Sequence, residues 1–110
     1  MGTQDGEILR DTLDLLVLKL LAPAPLHGWA IANQLKLVSR SALQVSHGSL
    51  YPALHRLEHR GWIAAEWRLT ERNRRAKYYR LTALGRRQLV KEAQGWHKLV
   101  EAVNLILARP

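Results

Sequence analysis

Apolar residues first recur at helical spacing in Leu13, Leu16, Val17, Leu20 and Leu21, behind Asp11 and Thr12, either of which can serve as N-cap. Pro23 and Pro25 end that segment. His27-Gly28-Trp29 opens a second helix with Ile31, Leu35 and Val38 inward and Asn33 and Lys36 outward, closed by Ser39-Arg40-Ser41. Leu50, Leu54 and Leu57 give a third, short helix one apolar edge, and Gly61 ends it as a left-handed residue. Where this helix starts turns on Pro52. Proline is tolerated in a first turn, where its missing N–H has no intrahelical partner to lose. That predicts Ser49 as N-cap, whereas a start at Ser46 would leave Pro52 in the helix body with a kink.

After Gly61 the period changes to two. Ile63, Ala65, Trp67 and Leu69 alternate with Ala64, Glu66, Arg68 and Thr70, the pattern of a strand with one buried face. Arg72-Asn73-Arg74-Arg75 reads as a turn, and Lys77 to Leu81 as the return strand. Thr82 is expected to cap a last helix running to about residue 108. Its Leu89, Ala93, Trp96, Val100, Val103 and Leu107 are spaced 4, 3, 4, 3, 4, a heptad seam widened by Leu99 and Ile106. At ~1.5 Å per residue that helix is roughly 40 Å long, more than a domain this small can cover. Each seam side chain represents roughly 1.5–3 kcal/mol of burial. The helix either folds back on its own domain or pairs with a second copy, and its length favours the homodimer. Gly95 costs about 1 kcal/mol in mid-helix, and the sequence offers no reason for it beyond a bend.

The fold class expected from these elements is mainly α with a small β-wing. Residues 9–81 form a winged helix-turn-helix domain, preceded by a flexible arm at residues 1–8 and followed by a dimerisation helix at residues 82–110. With 110 residues and no run of about 18 apolar ones, the chain is one domain and no membrane partner is expected. No basic stretch precedes an apolar one at the N-terminus, so no signal peptide is read there. Gly6 breaks the myristoylation motif that Met1-Gly2 begins. The absence of cysteine excludes disulfides, thiolate zinc sites and thiol redox chemistry, and the expected compartment is cytoplasmic.

Charge adds a location. Between His55 and Lys91 eleven Lys/Arg face three Glu, which accounts for the whole net charge of +8; elsewhere six bases and six acids cancel. A basic surface confined to the third helix, the hairpin and the first turns of the last helix is the footprint of a polyanion. With its leucines inward, the third helix presents Gly48, Tyr51, Pro52, His55 and His59, with His47 and Ser49 flanking its start. Backbone N–H groups there, with the Ser46 or Ser49 hydroxyl, can hold a phosphate. Tyr51 and His55 are placed for base edges or sugars, and Arg56 lies at the margin between DNA and the protein's own surface. Arg72, Arg74, Arg75 and Lys77 are expected on phosphates, one of them entering the minor groove. The partner is therefore double-stranded DNA, and a two-fold axis makes the operator pseudo-palindromic.

Catalysis is not expected. His55-Arg56-Leu57-Glu58-His59 matches the H-x-x-E-H zinc-peptidase pattern. Yet it overlaps the groove helix, no third ligand is found downstream, and the cationic surroundings repel a divalent ion. No catalytic residue, metal or cofactor is assigned. The competing reading is sequence-independent nucleic-acid binding, which shares the basic surface but needs no two-fold pair of helices.

Leu26-His27-Gly28-Trp29, the run Gly48 to Leu54, Leu57-Glu58 with Gly61, Lys77-Tyr78-Tyr79, and Leu81-Thr82 with Gly85 together resemble the PadR family of bacterial transcriptional regulators. The resemblance spans almost the whole chain, with Trp29 where most relatives carry tyrosine. It implies a winged-helix dimer of the shorter type, repression of nearby promoters, groove contacts by Ser49, Tyr51 and Pro52, and a wing contact by Lys77. Some short members bind planar compounds at the dimer centre, which draws attention to Trp96. That indole occupies a seam position normally filled by leucine, so two copies would flank a gap suited to a flat small-molecule effector. The alternative packs Trp96 on the partner's first helix.

Overall fold

The computed structural model describes residues 8–110. Its elements run α1 (Arg10–Leu21), β1 (Leu26–His27), α2 (Gly28–Val38), α3 (His47–His59), β2 (Ile63–Leu69), β3 (Arg75–Leu81) and α4 (Ala83–Leu107). The antiparallel sheet has the order β1-β3-β2. The mainly helical, winged architecture is the one expected. The addition is β1, which pairs Leu26 with Tyr79 and His27 with Tyr78; two residues are too few to show a period. Of the expected N-terminal arm, residues 1–7 lie outside the described residues.

Leu13, Val17, Leu18 and Leu21 of α1 enter the core with Ile31 of α2, Leu50, Leu54 and Leu57 of α3, and Ile63, Tyr79 and Leu81 of the sheet. Three helix details differ from expectation. The N-cap position of α1 is Leu9, with no side-chain cap, which puts Asp11 and Thr12 inside the first turn. Val38 is exposed, because the chain leaves α2 immediately after it. Arg40 and Ser41 take left-handed φ of 54° and 66°, and the Ser41 N–H closes on the Lys36 carbonyl at 2.7 Å.

The third correction is the start of α3. Ser46, not Ser49, is the N-cap, its hydroxyl accepting the Ser49 N–H at 3.2 Å, so Pro52 lies within the helix. An interior proline costs about 3 kcal/mol, against about 1 kcal/mol for a serine cap and roughly 1.5–3 kcal/mol for each buried leucine. The Ser46 carbonyl also accepts the Leu50 N–H at 2.9 Å, and the buried Leu50, Leu54 and Leu57 hold the helix in place with its proline. At the other end Gly61, with φ +77°, sends its N–H to Glu58 and the next N–H, from Trp62, to Leu57. That double closure is a Schellman motif.

The hairpin is in register from Ile63↔Leu81 to Leu69↔Arg75. Its expected buried face exists only at the base. Ile63 and Ala65 pack on the core, while Trp67 and Leu69 on the same face are exposed. The hydrophobic core ends beneath the Ala65↔Tyr79 pair, and beyond it the hairpin projects as a wing. Thr82 then starts α4 as expected, its hydroxyl accepting the Gly85 N–H at 3.0 Å and donating to the Gly61 carbonyl at 2.7 Å. Gly85 lets α4 lie tight on the wing's base, since a Cβ there would stand 1.9 Å from the Trp62 carbonyl oxygen. From that anchor α4 runs unbroken through Gly95.

Candidate nucleic-acid interface

Ser46, His47, Gly48, Ser49, Tyr51, Pro52 and His55 are all exposed along one side of α3 and its cap. Tyr51 is held as well as displayed. Its ring lies 5.6 Å from that of His47, and its hydroxyl fills the space above Gly28, where a Cβ would come within 2.6 Å. An aromatic ring on a bare backbone thus sets the spacing between the start of α2 and the start of α3. His27 caps α2 through Nδ1, accepting the Ala30 N–H at 3.2 Å.

Trp29 stands exposed next to this junction. It lines a groove of about 740 Å³ with His27, Tyr78 and the wing residues Arg72, Arg74 and Arg75. A smaller recess joins it to Asn33, Lys36 and His47. Trp29 therefore bridges the groove helix and the wing, a role its place in the sequence did not suggest. The available signal was an unburied tryptophan one residue after a helix cap.

In the wing, the Thr70 hydroxyl accepts the N–H groups of Arg72 and Arg74, each at 3.3 Å. Asn73 supplies the left-handed residue at φ 61°. The turn closes before Arg75, which begins β3 instead of ending the turn. Arg72, Arg74 and Arg75 project into solvent. Lys77 is more constrained: its Nζ lies 3.4 Å from Glu58 Oε1 and over the Tyr79 ring at 5.6 Å, so it ties the wing to α3. That ion pair also engages the glutamate of the H-x-x-E-H run. Tyr79 itself is buried, and its hydroxyl titrates above the ordinary tyrosine range because of burial, then the nearby Glu58, then Tyr51.

Arg56 departs from the site assigned to it. Its guanidinium reaches inward to Asp14 Oδ1 at 2.7 Å, with side-chain exposures of 18% for Arg56 and 8% for Asp14. A carboxylate in the apolar stripe of α1 needs a cationic partner to be buried at all. The pair locks the groove helix onto α1, leaving Arg56 as a positioning group instead of a surface cation. Asp14 among Leu13, Val17 and Leu18 was the sequence signal for it.

Along α4, Trp96, Leu99, Val103, Ile106 and Leu107 are exposed, whereas Leu89, Ala93 and Val100 are half-buried. Trp96 edges a recess of about 220 Å³ with Asp11, Thr12 and Leu15 of its own α1. Among the described residues, no helix is long and apolar enough to cross a membrane.

Residues 17–91 match the family model described as the transcriptional regulator PadR-like family. A transcriptional regulator of Mycobacterium tuberculosis is 34% identical over 97 residues, covering 88% of this chain and 87% of that protein. A PadR family transcriptional regulator from Eggerthella lenta superposes with a TM-score of 0.77 at 34% identity, covering 92% of this chain and 86% of the other. A PadR-like regulator from Bacillus cereus gives the same TM-score, 0.77, at 26% identity, with 89% and 93% covered. An exposed groove helix, a cationic wing and a family match across both lead to one conclusion: the chain belongs to the PadR-like family of transcriptional regulators, which bind DNA and are not enzymes.

Proposed function

We propose that two copies of this chain pair along α4 and act as a repressor of nearby promoters, with residues 9–81 as the reading unit and residues 82–110 as the dimerisation helix. The apolar residues that α4 leaves exposed, Trp96, Leu99, Val103, Ile106 and Leu107, carry the reading. A 25-residue helix whose one buried residue is Gly85 keeps its apolar side chains from water by pairing with another such helix. A two-fold axis then sets two α3 helices one duplex turn apart on a pseudo-palindromic operator.

Within each half-site, Ser46 and Ser49 with the α3 backbone hold a phosphate, and Gly48 and Pro52 allow close approach. His47, Tyr51 and His55 meet base edges or sugars. Arg72, Arg74 and Arg75 follow the flanking backbone, while Lys77 reaches it from the base of the wing. Trp96 from each copy flanks the dimer centre, where a planar aromatic effector would spread the two reading heads and release the operator.

Selection of binding sites from random duplexes tests this reading. The expected product is a two-fold site with half-sites about one turn apart, bound about 10³-fold or more above scrambled DNA. Arg74→Glu with Arg75→Glu should abolish capture of either duplex at physiological salt. Equal affinity for selected and scrambled duplexes would replace this reading with sequence-independent binding.

A further inference from the structure

We propose that Trp67 is an apolar foothold on the DNA backbone, its indole packing against a deoxyribose while Arg75 beside it takes the adjoining phosphate. The inference rests on the DNA-binding reading and assigns to this strand face a contact that reading does not need. Alternation along β2 puts Trp67 and Leu69 on the face whose base is buried at Ile63. The ladder sets Lys77 opposite Trp67 and Arg75 opposite Leu69. Beyond the core this face is open, with Trp67 60% and Leu69 61% exposed. It is turned towards the groove helix, because Lys77 on it reaches Glu58 of α3 at 3.4 Å.

An indole and a leucine left wet at the end of a hairpin need a partner, and the neighbouring charges narrow the choice. The Arg75 guanidinium lies 5.1 Å from the centre of the Trp67 ring, and Arg72 and Arg74 are exposed in the turn that joins β2 to β3. Cross-strand neighbours stand about 5 Å apart, so the occupant must present anionic and apolar groups in close alternation. A nucleic-acid strand does so at every nucleotide, phosphate then sugar. An apolar protein surface would strand the arginines, and an acidic one would leave the indole uncovered. Because sugars and phosphates carry no base identity, this foothold fixes register and not sequence.

Fluorine NMR on the full chain carrying fluorine-labelled tryptophan tests the inference, with the Trp67 resonance identified by its loss in Trp67→Phe. On addition of a short duplex the Trp67 signal should shift and lose most of its H2O/D2O isotope effect, for selected and scrambled sequences alike. Trp67→Ala should weaken both duplexes about tenfold with the salt slope unchanged, whereas Arg75→Ala should lower that slope by about one. If labelled duplex is bound, by anisotropy, while Trp67 keeps its full isotope effect, the foothold is wrong and the DNA reading stands. If the wild-type chain captures no duplex, both fail. If Trp67 becomes covered on raising protein concentration without DNA, the face is a contact between copies and the foothold is again wrong.

Discussion

The helices α3 and α4 are both amphipathic, and their apolar faces meet opposite ends. In α3 a 13-residue helix buries Leu50, Ala53, Leu54 and Leu57 within its own chain. In α4 a helix of 25 residues buries Gly85 alone and leaves Trp96 42% exposed and Leu107 74% exposed. The difference arises from what surrounds each. Helix α3 lies between α1 and the sheet, which meet it along its length. Helix α4 is held at its first turns by Thr82, Gly85 and an Arg86 guanidinium donating to the Ala22 carbonyl at 3.2 Å. Beyond them Leu89, Ala93 and Val100 are half-buried, while Trp96 and the apolar residues after Val100 stay exposed. An apolar stripe therefore means core in one helix and, on the reading proposed above, association in the other, and the distinction lies in the length of helix that a small domain can reach.

The comparison breaks most visibly at the seam. Leu99→Asp with Val103→Asp should weaken self-association by about 10³-fold or more, since each interface would take up several unpaired carboxylates. Thermal unfolding of the resulting single chain should stay cooperative; unchanged association would remove α4 from the interface. The α3 side is sharpened by its ion pair. Asp14→Ala leaves the Arg56 charge buried without its partner and should cost roughly 3 kcal/mol in urea unfolding, against well under 1 kcal/mol for a surface aspartate.

Gly95 offers a smaller and more discriminating effect. Nothing lies within 4 Å of a Cβ built there, so within one chain Gly95→Ala should stabilise α4 by about 1 kcal/mol. A loss of association in that variant would place Gly95 against the partner helix. The smallest effect is a pH dependence on the α3 side. Tyr79 titrates above 10.0 in the folded chain, so the unfolded chain releases this proton first as pH rises. The Tyr79 contribution is then complete below about pH 10 and is lost above it. Stability of Tyr79→Phe should fall less steeply than that of the wild type in that range.

Much of this was legible in the residues. Helical spacing located α1, α2 and α3, alternation located the hairpin, and Thr82 and Gly61 marked their element ends. What escaped depends on partners distant in sequence. The Asp14–Arg56 pair joins residues 42 apart, and Tyr51 needs Gly28 opposite it. The exposure of Trp67 was hidden because alternation shows which face a residue shares but not how far the core extends beneath it. The start of α3 lies earlier than Pro52 predicts because the Ser46 hydroxyl and carbonyl take the Ser49 and Leu50 N–H groups, which a rule about proline alone does not weigh. Helical position shows which side chains α3 exposes, except at Arg56, where it cannot show a buried carboxylate on another helix.

Sedimentation equilibrium of the wild-type chain over nanomolar to micromolar concentrations tests the central claim most directly. Association through α4 predicts a species of twice the 12.6 kDa chain mass throughout the micromolar range, lost in the Leu99/Val103 double aspartate variant. A single 12.6 kDa species at micromolar concentration would contradict it.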